Sequence, residues 1–445
     1  MTTAASNRSL RLMAAGLAAG LGLAVFALRD VLHPDVRGGL GIVCFIAVVA
    51  ACSRNLRAVS WRTVGWGMAL QIGLALFILK FQINGWRPGY AFFATVANGV
   101  KQFLDFTAAG AQFVFGGLAD PSTMGKIFPP DKSFVFAFMG LPTIIFVSSF
   151  FTVLYYFGIL QFVVRVMARG MIVLMRTSGA ETLSAAANVF MGQTEAPLIV
   201  KPYVPRMTQS ELLAIMVGGL ATISGGIMAV YISLGADPVA ILTTSVMAAP
   251  CGLYLSKILL PETESPETSG QVKTSVERTH ANAVDALAAG ASDGTMLAIN
   301  VAAMLIAFLS LLALVDFLLG KIYGGLSLSA IFAQVFSPAA ILMGVPMADV
   351  PEVADLLGTK LVANEFVAYV KLTQQYKTVI SPESYVLSTY ALTGFANFGS
   401  IGILLGGIGA MAPSRRGDLA RLGGLALLAG FLATMINASI ASMLL

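Results

Sequence analysis

The chain is written as long uncharged apolar runs separated by short clusters of arginine, lysine and turn residues. Clean runs at 133–160, 212–236, 238–256, 296–315, 384–413 and 422–445 match the ~20 helical residues that cross about 30 Å of hydrocarbon. Shorter or less clean candidates lie at 12–28, 39–52 and 64–81. Alternating strands of about ten residues are absent, so the pattern predicts helices and not a barrel. Nine crossings result from this reading, an all-α polytopic architecture.

Composition points the same way. The chain is 57% hydrophobic and only 11% charged, against about 25% charged residues in soluble domains. Its net charge of +5 raises nucleic acid as a partner, but the basic residues form no stripe and sit at segment ends. Arg8 and Arg11, Arg54, Arg57 and Arg62, Arg165, Arg169 and Arg176, Lys201 and Arg206, and Arg415, Arg416 and Arg421 mark one side under the positive-inside rule. Nine crossings then place the N-terminus in the cytoplasm and the C-terminus outside. Residues 12–28 have the length of a signal-peptide core, yet no small-residue cleavage site follows, so a retained helix is expected. Cys44, Cys52 and Cys251 lie in or beside apolar runs without metal or redox spacing and read as small hydrophobes.

Two stretches break the apolar text with a carboxylate. Asn188 to Pro197 reads Asn-Val-Phe-Met-Gly-Gln-Thr-Glu-Ala-Pro, and Leu361 to Phe366 reads Leu-Val-Ala-Asn-Glu-Phe. A carboxylate at the bilayer centre costs about 2.5–3.5 kcal/mol on insertion scales, so Glu195 and Glu365 need partners or a wet cavity. The arms flanking each are too short to span, and each is followed by a run carrying glycines and small polar residues: Gly219 to Gly226 in the first half, Gly394 to Ser400 in the second. Interrupted segments at matching positions of two halves point to a transporter site at the midplane. Broken backbone at that depth is tolerated only where it is buried in protein or lines a cavity. By crossing count the first hairpin enters from the cytoplasm and the second from outside, which predicts inverted repeats with two re-entrant hairpins, divided into scaffold and transport domains. The polar stretch 261–280 reads as a linker. The proline-free run 281–319 that follows predicts a helix of roughly 58 Å, long enough to tilt strongly or serve as an oligomer contact.

The chemistry of the two stretches differs. Gln193, Thr194 and Glu195 supply amide, hydroxyl and carboxylate groups that suit the edge of a nucleobase; the same side chains can also cap the hairpin and hold it to its neighbours. Glu365, Asn397 and Ser400 suit ribose hydroxyls, with Phe395 offering an aromatic face; ordinary packing explains Phe395 alone. Asn188, Met191, Thr222 and Ile223 could give a dehydrated sodium ion the uncharged oxygens it needs, although Asn and Thr also act as interhelical glue. Residues 117–126 end in Gly-Lys, but Asp120 stands where a phosphate loop needs glycine. No His-Glu-x-x-His or Gly-x-Ser-x-Gly is present, and His33 and His280 lie in polar connections, so catalytic machinery is not apparent and no cofactor is expected.

Gly192-Gln193-Thr194-Glu195-Ala196-Pro197-Leu198-Ile199-Val200-Lys201-Pro202, Asn364-Glu365-Phe366-Val367-Ala368-Tyr369 and Gly394-Phe395-Ala396-Asn397-Phe398 together closely resemble the concentrative nucleoside transporter family, from about residue 39 to the C-terminus. The resemblance implies a homotrimer embedded in lipid, and an elevator in which a transport domain carries nucleoside past a scaffold. It places the base against Gln193, Thr194 and Glu195 with Ile227 lining the pocket, and ribose at Glu365, Asn397 and Ser400 beside Phe395. Sodium falls to the side chains of Asn188 and Thr222 and the carbonyls of Met191 and Ile223. Thr222 stands where related sequences often have serine, which keeps the hydroxyl; Gly399 replaces a small hydroxyl residue, which loosens any statement on sugar preference.

The expected organisation is an extra N-terminal transmembrane helix (1–38), scaffold helices (39–160), the first half of the transport domain (161–260, hairpin near 178–203), the linker (261–280), a long scaffold and trimer helix (281–322) and the second half (323–445, hairpin near 350–377). The expected activity is sodium-coupled import of uridine-like nucleosides across the inner, cytoplasmic membrane of a bacterium. A proton-coupled symporter of the same fold is the nearest rival, and a membrane enzyme using Glu195 and Glu365 as acid and base is the remote one.

Overall fold

The computed structural model describes residues 2–128, 135–269, 280–324 and 326–445. Half of the predicted linker 261–280 (270–279) and the start of the predicted run 133–160 lie outside the described residues. The helices are α1 (Thr2–Ala27), α2 (Pro34–Ala51), α3 (Trp61–Leu79), α4 (Pro88–Phe115), the one-turn α5 (Pro121–Met124) and α6 (Phe136–Met139), α7 (Leu141–Tyr156), α8 (Ile159–Met175), α9 (Gly179–Ala187), α10 (Gln209–Ala221), α11 (Gly225–Leu234), α12 (Pro238–Leu259), α13 (Ala283–Ile322), α14 (Leu328–Leu342), α15 (Val350–Val362), α16 (Glu365–Lys371), α17 (Pro382–Leu392), α18 (Phe398–Met411) and α19 (Arg416–Ser442). Among the described residues the only β feature is an isolated bridge between Ile83 and Trp86.

Eight stretches of the described residues are long and apolar enough to cross a membrane, and they coincide with eight of the nine predicted runs. The ninth, 384–413, is divided into α17 and α18 around Thr393–Asn397. A helix apolar on all sides can be buried by protein or by lipid, and burial separates the two cases here. The most apolar window of the Gln209–Leu234 span is 89% buried against its neighbours, whereas that of Ala283–Ile322 is 6% buried. The 40 residues of α13 form one uninterrupted helix, as the lack of proline predicts.

The two halves repeat one plan. In the first, α9 leads to a hairpin tip, and α10 and α11 follow, broken at Thr222–Ser224; in the second, α15 turns into α16, and α17 and α18 follow, broken at Thr393–Asn397. Local signals set these boundaries. Ser178 and Thr208 each close a reciprocal capping box, with Glu181 and Glu211, at the starts of α9 and α10. The first hairpin's returning arm is only a 3₁₀ turn, Ala196–Val200, because Pro197, Pro202 and Pro205 remove backbone donors a longer helix would need.

Packing divides the predicted scaffold stretch 39–160. α2 lies on α14 and α19, and α3 lies on α12, whereas α7 is paired with α13. That last pairing is close because Gly290 and Gly294 leave no room for a side chain: a Cβ on either would stand 2.7 Å from Ser149 Cα or 2.8 Å from Ile145 Cα.

Candidate functional site

The break between α10 and α11 exposes backbone oxygens inside the protein. Thr222 turns its hydroxyl back to the Gly218 carbonyl (2.8 Å), and Ser224 caps α11 by accepting from the Ile227 amide (3.4 Å). Asn188 ends α9 beside this break, donating from Nδ2 to the Ser184 carbonyl (3.0 Å). Its Oδ1 is buried and without a hydrogen-bond partner. The carbonyls of Met191 and Ile223, outside any helix, also accept no hydrogen bond among the described residues. A buried amide oxygen left unpaired costs free energy. Of the four oxygens the sequence singles out for sodium, three are thus left without a hydrogen-bond partner and the fourth, the Thr222 hydroxyl, donates to Gly218.

The first hairpin tip is wedged between the halves. A Cβ on Gly219 of α10 would stand 2.8 Å from Gln193 Cβ, and one on Gly407 of α18 would stand 2.6 Å from Thr194 Cγ2. Gln193 is buried and its Oε1 is unpartnered. Glu195 accepts from the Gly192 amide (3.1 Å) and opens into a cavity of about 680 Å³. The walls include Phe190, Met191 and Ser224 on one side, Phe151, Gln161 and Arg165 of α7 and α8 on the other, and Asp293 of α13. The cavity runs along the returning arm to Lys201 and Pro205, toward the face carrying the arginines.

Glu365 is held elsewhere. It is buried at the start of α16, where one oxygen accepts from the Tyr231 hydroxyl (3.0 Å) and the other from Asn397 Nδ2 (2.9 Å). Asn397 at the same time caps α18 through the Ser400 amide (2.8 Å), so Asn397 and Ser400 meet by the geometry of the cap. Ile227 and Phe395 pack in the same apolar cluster as Tyr231, Phe366 and Tyr369. Phe395 reaches the other group through its backbone: its amide donates to the Thr222 carbonyl (3.1 Å). The cavity that receives Glu195 does not include Glu365 in its walls; the two are linked along α11, from Ser224 at its cap to Tyr231, seven residues or about 10 Å of helix apart.

Tyr231 is the residue that sequence reading missed. Its ring stacks on Tyr369 with centroids 4.0 Å apart and an interplanar angle of 20°, which fixes the hydroxyl on Glu365. The available signal was a tyrosine in the otherwise apolar α11, whose buried hydroxyl had to find an acceptor.

Two interrupted helices and two opposed re-entrant hairpins, arranged as inverted repeats with polar groups at the breaks, define a membrane carrier. Models described as "Na+ dependent nucleoside transporter N-terminus", "Nucleoside recognition" and "Na+ dependent nucleoside transporter C-terminus" match residues 40–118, 137–238 and 240–442. An uncharacterized transporter of Haemophilus influenzae is 43% identical over 414 residues, covering 91% of this chain and 96% of that one. Sodium/nucleoside cotransporter 1 of Mus musculus is 41% identical over 452 aligned positions, covering 96% and 67%. Among solved structures, CNTnw in an inward-facing substrate-bound state superposes with a TM-score of 0.86 at 38% identity, covering 92% of this chain and 98% of that one. A doubly substituted form of CNTnw in an outward-facing state gives 0.88 at 37%, with the same coverage. The chain belongs to the sodium-dependent nucleoside transporter family.

Proposed function

We propose that this protein is a sodium-coupled importer of uridine-like nucleosides in the cytoplasmic membrane, carrying its substrate between the two hairpin tips by an elevator movement. The base meets Gln193, Thr194 and Glu195 with Ile227 behind it, and the sugar meets Glu365, Asn397 and Ser400 beside Phe395. Sodium takes Asn188 Oδ1, the Thr222 hydroxyl and the carbonyls of Met191 and Ile223. The relatives are transporters, and the proposed activity leaves the nucleoside chemically unchanged.

The observation that carries this reading is the hydrogen bond from the Phe395 amide to the Thr222 carbonyl. It ties the break proposed for sodium to the break proposed for sugar, so an ion drawing on the Thr222–Ile223 backbone alters the strand that presents Phe395 and Asn397. Coupling then needs no long-range device. For inward sodium, 100 mV contributes about 2.3 kcal/mol per charge, roughly a fifty-fold accumulation before any concentration gradient.

α7 and α13 form the scaffold core in this proposal, and three copies meet through α13, whose Ile299, Ile306 and Phe317 are exposed. The cavity beside Glu195 is the cytoplasmic exit. Uridine uptake into proteoliposomes at fixed pH, with and without a sodium gradient, tests the function. Uptake that ignores sodium and follows an imposed pH gradient would replace sodium with protons; labelled nucleoside recovered chemically altered would indicate an enzyme.

A further inference from the structure

A second polar cavity, of about 430 Å³, lies apart from the residues assigned to nucleoside and sodium. Its walls come from the start of α3, the end of α8, the start of α9 and the segment that follows α12. The buried Thr63 hydroxyl donates to the Met175 carbonyl (2.9 Å), which fastens the start of α3 to the end of α8 and brings their neighbours Arg62 and Arg176 to the same cavity. The other charges there satisfy one another. Lys257 is buried and meets Glu181 at 2.6 Å, with Glu262 3.9 Å from the same ammonium. Glu262 also accepts from the Thr208 hydroxyl (2.7 Å). Among the described residues neither Arg62 nor Arg176 has a carboxylate partner or a side-chain hydrogen bond, so the cavity carries two uncompensated guanidiniums.

Two further features favour an anion. α3 presents its N-terminus, capped by Ser60, to the cavity, and the free amides there carry partial positive charge. Arg176 ends α8 with φ 55° and ψ 37°, the left-handed conformation that glycine adopts most readily. An arginine kept in that conformation with its guanidinium unpaired points to a partner that the chain does not supply.

The surroundings identify what carries the anion. Arg62 follows Trp61, which is 61% exposed, and Arg176 lies three residues after Val173, which is 67% exposed. Tryptophan gathers at the headgroup level of a bilayer, and exposed apolar side chains beside it suit an acyl chain. Both arginines belong to the face that the positive-inside rule marks as cytoplasmic, where anionic lipid attracts basic residues. We infer that this cavity binds the phosphate of an anionic phospholipid of the cytoplasmic leaflet, with Arg62 and Arg176 holding the phosphate oxygens. Ser178, the cap of α9, follows two residues after Arg176. The lipid is therefore anchored where α8, a wall of the cavity beside Glu195, joins the first hairpin.

The test uses the full chain in detergent, with Trp66→Phe and Trp86→Phe leaving Trp61 as the one tryptophan. Phosphatidylglycerol and phosphatidylcholine with the same brominated chains quench a tryptophan they approach. Competition at Trp61 should favour phosphatidylglycerol by about tenfold or more, since each guanidinium adds attraction for the headgroup. Arg176→Gly should abolish the preference while keeping the unfolding midpoint, because glycine takes the left-handed conformation without strain. Arg62→Gln should abolish it too, and Arg169→Gln, on α8 but outside the cavity, should leave it unchanged. Equal quenching by the two lipids in the wild type, or an equal loss in Arg169→Gln, would overturn the site. Displacement of the brominated lipid by inorganic phosphate or glycerol phosphate, at constant ionic strength, would overturn the lipid in favour of a soluble phosphate. If Arg62→Gln does not fold, the wild-type competition and Arg176→Gly decide.

Discussion

Glu365 is the residue on which the proposed sugar site turns, because both of its oxygens are already engaged, by Tyr231 and Asn397. A ribose hydroxyl entering there exchanges one charge-assisted bond for another. Glu365→Gln keeps the shape, places an amide NH₂ opposite one of two donors and removes the charge. Nucleoside binding should weaken by about ten- to a hundred-fold, with melting temperature and oligomer unchanged, as titration calorimetry and size-exclusion chromatography would show; wild-type affinity would remove Glu365 from the site. Phe395→Ala should cost less, since it strands no polar group. Asn188→Ala acts differently: it deletes the orphaned Oδ1, so it should raise the sodium needed for half-maximal uptake and flatten the sodium dependence of nucleoside binding. Asn188, Glu195 and Glu365 were legible in the sequence because polar groups in an apolar text demand a reason. Tyr231 was not, because a tyrosine reads as part of the apolar face.

At the scale of elements, the breaks are built by close approach as much as by flexible residues. Gly394 lies in the second break with φ 156°, and a Cβ there would stand 2.7 Å from Thr434 Cγ2, 3.0 Å from Leu220 O and 3.1 Å from Ala221 O. The two carbonyls belong to the end of α10, so Gly394 is where the second break leans on the first. Gly394→Ala should cost about 1–3 kcal/mol of stability by overpacking, read as a lower unfolding midpoint, and should impair sodium-dependent uptake because it parts the breaks. Gly402→Ala is the control: nothing lies within 4 Å of its Cβ position, and alanine in a helix interior should be neutral or stabilising by up to about 1 kcal/mol. Equal effects from both would mean that Gly394 matters only for helix propensity. The sequence showed that these segments were interrupted, since glycines and Asn397 crowd there. It did not show that the interruptions touch, because contact between residues 220 and 394 follows from tertiary packing and not from local pattern.

At the scale of the whole molecule, the proposed elevator requires one part to slide past another. The carboxylates of Glu195 and Glu365 lie in the two hairpins, and the proposed sodium oxygens lie at the break between α10 and α11. In the proposed cycle the domain crosses when sodium and nucleoside are both bound or both absent, and a domain that takes nucleoside without sodium stays where it is. The cavity beside Glu195 supplies a way to see this. Leu198 lines it, is 50% exposed and lies outside the proposed contacts; α7, α8 and α13 form the facing wall. The native thiols interfere little, since Cys44 and Cys251 are buried and Cys52, half-buried, can be changed to serine. On that background Leu198→Cys should react with a membrane-impermeant maleimide only from the face bearing Lys201 and Arg206. Sodium and uridine together should change the labelling rate several-fold, and uridine alone should not. If the hairpin arm is stationary, the rate will be the same in all conditions; if loading moves it without regard to sodium, uridine alone will suffice. Only a domain released by joint occupancy, sliding past α7 and α13, separates the two ligands in this way.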